Sequence, residues 1–372
     1  MRPRLAPLWL EHPSRFAPLP PNFARIAIGL IVVLLASTWL ALATPGPPPV
    51  SHDPAKRAQD QTDIILYETI VENIRHGGSY YAVTADALRS GDYPLRPFVT
   101  FRLPTLAVVQ ATLPPRAIVV ALYLLVAATA LAWYARLAPA FARGPPRVIA
   151  LALLAGGMMA FVQPDLAAFH EIWAGLFIAL SLALRRPERW LPAVMFGLAA
   201  VLIRETAALY LAIMAVLAWL GGNRREGLAW ASAIAVLAVA ILLHAHAVAQ
   251  VVRPLDPASP GWTGHLGFGF FVRTMAISTA LALAPLGIAA PLVGLALVGW
   301  AAWRDELALR VLTLLSGYAA VLAVFGRPDT FYWGLLVAPA LLVGLAFVPD
   351  ALRDLVAAAL DKRRITVTRV VR

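Results

Sequence analysis

The sequence predicts an all-α polytopic bundle of about ten transmembrane helices, carrying one large external loop with surface helices. Apolar runs follow one another from residue 26 to residue 348, and most approach the ~20 helical residues that a bilayer requires. With 60% apolar and only 14% charged residues, and a mean hydropathy of +0.75, the chain has more apolar surface than a soluble domain can hide, so lipid is its solvent. The apolar runs show no period-two alternation broken by turns, which argues against a β-barrel.

The net charge of +11 does not point to nucleic acid. The arginines sit between apolar runs and at the two ends, which is the pattern of cytoplasmic loops. The absence of cysteine excludes disulfides, thiolate metal sites and cysteine nucleophiles. Lys56 and Lys362 are the only lysines; this arginine bias, with the Ala and Pro richness, fits a GC-rich bacterial genome and hence a bacterial inner membrane.

The elements follow in order. Arg2, Arg4, Arg15 and Arg25 place the segment 1–25 in the cytoplasm. Helix 26–43 ends in Ala41-Leu42-Ala43, which looks like a cleavage site, but its long leader and long apolar core favour a retained anchor. The external loop, 44–115, comes next. Spans follow at 116–136, 148–162, 172–184, 190–203, 206–220 and 228–248, each turning at a basic cluster or a polar outer loop. The stretch 266–303 is read as one span, 282–303, after a kinked or interfacial segment holding Arg273, because two spans would put Arg304 outside. Spans 307–325 and 333–348 complete the membrane domain 26–348, and 349–372 is a basic cytoplasmic tail. Both termini are then cytoplasmic. No inverted repeat is visible, which weakens a secondary-transporter reading.

A mostly membrane-embedded chain has little polar surface to spare, so the external loop is where chemistry is expected first. It leaves the membrane through the stiff Pro45-Gly46-Pro47-Pro48-Pro49. Ile64, Tyr67, Val71 and Ile74 recur at helical spacing and Gly77-Gly78 ends the helix. This predicts a helix lying on the outer membrane surface. A second short helix runs to Gly91, and 103–113 is apolar but bounded by prolines. Asp60 and Asp63 open the first helix. Acidic residues there cap free N–H groups; they are also placed to take a proton from a hydroxyl or to help hold a divalent cation.

This layout resembles the membrane-embedded glycosyltransferases of the GT-C class, which use lipid-phosphate-linked sugar donors and include the protein O-mannosyltransferases and the aminoarabinose transferases. The resemblance rests on a short N-terminus and one helix before a large external loop, then Asp63-x-x-x-Tyr67, Gly77-Gly78-x-Tyr80-Tyr81, the approach Arg102-Leu103-Pro104, and a second acidic position at Asp165 or Glu171. It is best over 26–215. It implies that Asp63 is the acceptor-activating base, that Asp165 or Glu171 assists, and that the donor is a polyprenyl-phosphate-linked sugar whose tail lies between helices. Many relatives carry an acidic pair directly after the first helix. Here Gln61-Thr62 splits Asp60 from Asp63, so either carboxylate stays open as the base. The acceptor would be a cell-envelope glycan or lipid at the periplasmic face.

Arg204-Glu205 stands between two apolar runs, where ionisable groups default to functional suspects. It reads either as a mutually paired ion couple or, for Arg204, as a phosphate clamp, since a guanidinium donates two parallel hydrogen bonds to phosphate oxygens. Arg102, Arg273 and Arg327 share that side; Arg327 also reads as a simple pair with Asp329. Tyr67, Tyr80 and Tyr81 complete the substrate-binding candidates. Asp63, Asp165, His170 and Glu171 are the candidate ligands if a divalent cation such as Mg or Mn takes part. His244 and His246 face different sides of one helix and read as interfacial. Two other classes stay open: a flippase for a lipid-linked sugar, and a non-catalytic subunit of an envelope-polymer assembly.

Overall fold

The structure, a computed structural model, describes residues 6–46 and 62–361. Among these the chain is helical, with no strand beyond the isolated bridges Leu10–Phe141 and Arg96–Ala258. Helix α1 (Pro21–Thr38) starts on proline and is continued by Leu40–Ala43. The helices that follow are α2 (Thr62–Arg75), α3 (Tyr80–Ser90) and α4 (Thr105–Thr112). Then come α5 (Pro115–Leu137), α6 (Gly144–Gly157), α7 (His170–Leu184), α8 (Leu191–Ile203), α9 (Ala208–Leu220) and α10 (Arg224–Ala249). The late elements are α11 (Gly267–Ile277), α12 (Leu286–Ala302) and α13 (Glu306–Phe325).

Four helices are long and apolar enough to cross a membrane, and a fifth bent pair qualifies if its two parts form one span. Their outward faces show why lipid is required. Leu30 and Val33 of α1 are 65% and 66% exposed, and Leu242 and Leu243 of α10 are 70% and 66% exposed. The short helix α7 has a different job. Thirteen of the 15 residues of α7 are buried, and it packs against α5, α8 and the segment 328–336. Gly175 permits this packing, because a Cβ there would lie 2.4 Å from the Leu335 carbonyl oxygen.

The span expected at 333–348 is not one helix. Tight 3-10 turns cover Pro328–Leu336 and Leu342–Phe347, a single α-turn covers Ala338–Leu341, and α14 (Val348–Ala359) follows. The parts bend by 61°. Pro339 and Pro349 each begin a new piece, as an N-terminal proline favours. Gly344 lets this segment pass against α12, where a Cβ on Gly299 would meet its carbonyl oxygen. The expected tail therefore starts as a helix packed on α1. The buried Asp350 accepts the backbone N–H groups of Leu8, Trp9 and Leu10 at 2.7–3.0 Å, and Asp354 accepts that of Ser14 at 2.8 Å.

Polar groups collect in layers at opposite ends of the long helices. One layer joins Arg136 to Asp305, Arg185 to Glu226 and Glu306, and Arg304 to the Ser14 carbonyl. The other holds α2, α3 and α4 over their own small core of Leu66, Ile70, Tyr80, Leu88, Phe101 and Val248. There Arg89 donates to both carboxylate oxygens of Asp256 at 2.9 and 2.8 Å, stapling the loop after α10 onto α3. Arg96 Nε reinforces this by donating to the Asp256 carbonyl at 2.9 Å.

Two tests follow from these contacts. Asp350→Ala removes the acceptor of three backbone donors, and leaving buried donors unpaired costs about 1–3 kcal/mol each; the variant is expected to lose its monodisperse elution peak at a clearly lower temperature than the parent. The Arg89 guanidinium holds the Asp256 carboxyl down at about 2. Its contribution is complete above about pH 4, the ordinary carboxyl range, and is lost as pH falls toward 2. Hydrogen-exchange protection of residues 251–258 is expected to follow that curve and to be several-fold lower at pH 7 in Asp256→Asn.

Candidate functional site

A cavity of about 490 Å³ opens beneath α2, α3 and α4. Its walls come from α2 (Asp63, Tyr67), α3 (Tyr80, Thr84), the loop at Arg102, the start of α7 (His170), the loop after α10 (Ser259, Trp262) and the turn Arg327 to Tyr332. Helical spacing explains the first pair: Asp63 and Tyr67 are four residues apart and so share a face. Asp63 is half-buried, and its carboxylate accepts from the Tyr93 hydroxyl at 2.7 Å. Tyr93 sits in a tight turn after Asp92, whose φ is +56°.

Arg102 is the central cation. Its Nε donates to the Tyr67 hydroxyl at 3.2 Å and its Nη2 to the Tyr332 hydroxyl at 3.4 Å. The Tyr80 hydroxyl fixes the same residue from behind by donating to its carbonyl at 2.6 Å. Burial pushes the Tyr67 and Tyr80 phenols up, so both stay protonated. Since the Tyr67 oxygen already accepts from Arg102, its hydrogen is free to be given to a ligand. The neighbouring rings hold the wall: Phe169 meets Tyr67 and Tyr332 edge-on, at 5.9 and 5.8 Å between centroids.

Behind this wall lies a buried ion cluster. Arg204 and Glu171 are each 1% exposed and bonded through Nε and Oε1. Arg204 also pairs with Glu205, which approaches Arg102 at 4.0 Å. The sequence left Arg204 as either an ion couple or a phosphate clamp. Its guanidinium is paired with two carboxylates and it does not line the cavity, so the couple describes its place and Glu171 is the added partner. Arg102, whose direct bonds go to neutral hydroxyls, and Arg327, held by Asp329 and by the Gly261 carbonyl, are the cations that reach the cavity.

The remaining candidates scatter. Asp60 lies outside the described residues. Asp165 is exposed and does not line the cavity. Arg273 caps the end of the first helix, donating to the Thr44 carbonyl at 2.6 Å. Tyr80 and Tyr81 part company: Tyr81 bonds Nδ1 of the buried His244 at 3.2 Å and lines a separate groove with Leu103, Leu202 and Leu243. His244 is thus an inward-facing member of that groove, not an interfacial residue. Among the described residues no group of three or more His, Asp or Glu side chains is placed to hold a metal ion. Asp63, His170 and Glu171 do not converge as a ligand set, because Glu171 turns away to Arg204.

Tyr93, Trp262 and Tyr332 line the cavity and carry no sequence signal of their own: Tyr93 stands in an irregular turn, Trp262 in a loop, and Tyr332 reads as one more aromatic of an interface belt. Comparison with protein-family models, with curated proteins and with solved structures finds no match for this chain.

Arg204→Met leaves the buried Glu171 carboxylate without its cation, a change that costs about 3–5 kcal/mol. The variant is expected to show a large loss of heat-resistant, monodisperse protein in detergent, whereas Arg327→Met, at the partly exposed rim, should elute as the parent does.

Proposed function

We propose that this chain is a bacterial inner-membrane glycosyltransferase of GT-C type. It moves a sugar from a polyprenyl-phosphate donor to a cell-envelope glycan or lipid on the periplasmic face. The observation that carries the reading is the convergence of a carboxylate, Asp63, and a guanidinium, Arg102, in the walls of a single 490 Å³ cavity at one end of an apolar bundle. Sugar transfer from a phosphate leaving group needs a base for the attacking hydroxyl and positive charge for the departing phosphate. In the simplest version the acceptor hydroxyl oxygen attacks the anomeric carbon as its proton passes to Asp63. The bond from that carbon to the phosphate oxygen breaks, and the released phosphate is met by Arg102. Tyr67 donates to the same oxygens. Arg327 joins only by exchanging Asp329 for phosphate.

The membrane arrangement we infer has ten crossings, counted as passages between the two polar layers, with the short helices α6 to α9 and α12 included beside the long ones. The layer of Arg136, Arg185 and Arg304 would be cytoplasmic by the excess of arginine in its loops. A flippase would need polar groups along a path through the middle of the bundle, whereas the charged groups here lie in the layers, which favours surface chemistry.

Purified protein incubated with labelled polyprenyl-phosphate sugars and an envelope extract tests the reading. The parent should release polyprenyl phosphate and form a new glycosidic bond. Asp63→Asn should lower that rate by roughly 10²–10⁴-fold, the usual worth of a positioned base, with unchanged elution. An active Asp63→Asn removes Asp63 from the mechanism, and movement of labelled lipid across vesicles without bond formation would replace the enzyme by a flippase.

A further inference from the structure

His170 is the most conspicuous unused group of the cavity. It is 3% exposed and lines the wall, yet neither Nδ1 nor Nε2 has a hydrogen-bond partner among the described residues. A buried polar atom without a partner is costly and asks for an explanation. The surroundings explain why the protein itself supplies none. Tyr67 meets the imidazole ring at 5.0 Å between centroids and 66° between planes, a ring contact that uses neither nitrogen. The nearest charged groups, Arg102 and Arg204, carry donors only. The adjacent carboxylate, Glu171, is turned to Arg204. The consecutive residues Phe169, His170 and Glu171 open α7 and diverge, the first into the aromatic wall, the second into the cavity and the third into the ion cluster.

We infer that His170 is the hydroxyl-recognition point of the cavity, one of its ring nitrogens holding a hydroxyl of a sugar bound there. An imidazole offers one donor and one acceptor, and a hydroxyl is both in return. A phosphate only accepts, and Arg102 is better suited to it. The inference takes the origin of the sugar from the glycosyltransferase reading, but the chemistry at His170 requires only a hydroxyl. A hydroxyl of the transferred sugar and one of the acceptor fit equally, and the probes below separate them.

Equilibrium binding to the full chain in nanodiscs is measured with three kinds of labelled probe: undecaprenyl phosphate, undecaprenyl-phosphate glucose and mannose, and octyl glucoside and mannoside, which carry no phosphate. The variants are His170→Ala and His170→Gln, the glutamine keeping one donor and one acceptor. His170→Ala is expected to bind undecaprenyl phosphate as the parent does and to lose at least about tenfold in affinity for sugar-bearing probes, whereas His170→Gln stays within about threefold of the parent. A loss confined to the undecaprenyl-linked sugars assigns the hydroxyl to the donor; a loss confined to the octyl glycosides assigns it to the acceptor. Should His170→Ala fail to elute as a single species, His170→Phe, which also lacks both hydrogen-bonding nitrogens, takes its place. Equal loss for all probes, or no loss for any sugar-bearing probe, overturns the inference. A parent that ignores both undecaprenyl probes sinks the lipid-phosphate donor, yet a His170-dependent response to the octyl glycosides would still uphold the hydroxyl site.

Discussion

The end of the bundle that carries the cavity depends on one buried ion cluster. Arg204, at the end of α8, binds Glu171 at the start of α7 and its own neighbour Glu205, which in turn faces Arg102. Burying a lone charge in such a place is prohibitive, and a buried pair is tolerated only when its geometry leaves little unsatisfied. The cluster therefore fixes the end of α8 against the start of α7 and sets Arg102 over both. Every cavity residue on these elements inherits its position from that constraint. His170 precedes Glu171, Tyr67 accepts from Arg102, and Tyr332 accepts from the same guanidinium.

The two solvents of the molecule explain its two kinds of helix. The faces of α1 and α10 are apolar and exposed, as lipid demands, while α7 is apolar all round because protein surrounds it. A helix enclosed in this way need not match the bilayer thickness by itself, which is why the 15-residue α7 can sit at the centre. Stable packing there comes from close approach, as where the Leu335 carbonyl passes over Gly175.

Much of this was legible in the sequence, and the reasons differ by element. The run 116–136 was readable almost to the residue as α5, since apolar length and a terminal arginine define such a helix alone. Asp63 and Tyr67 were readable because a four-residue spacing fixes a shared helical face without tertiary information. The break at 328–347 was not, because a run rich in Leu, Val and Ala reads alike whether it forms one helix or several, and only packing against Gly299 decides. The role of Arg204 stayed undecided because its second carboxylate lies 33 residues away. Tyr93 and Trp262 reach the cavity from irregular turns, where no periodicity exists to announce them.

The carboxylate of Asp350 satisfies backbone groups 340 to 342 residues earlier. During synthesis residues 8–10 thus wait, with their donors open to water, until α14 has been made. The clasp can close only after every helix between them exists, so the bundle can be inserted helix by helix before α14 folds back to seal it.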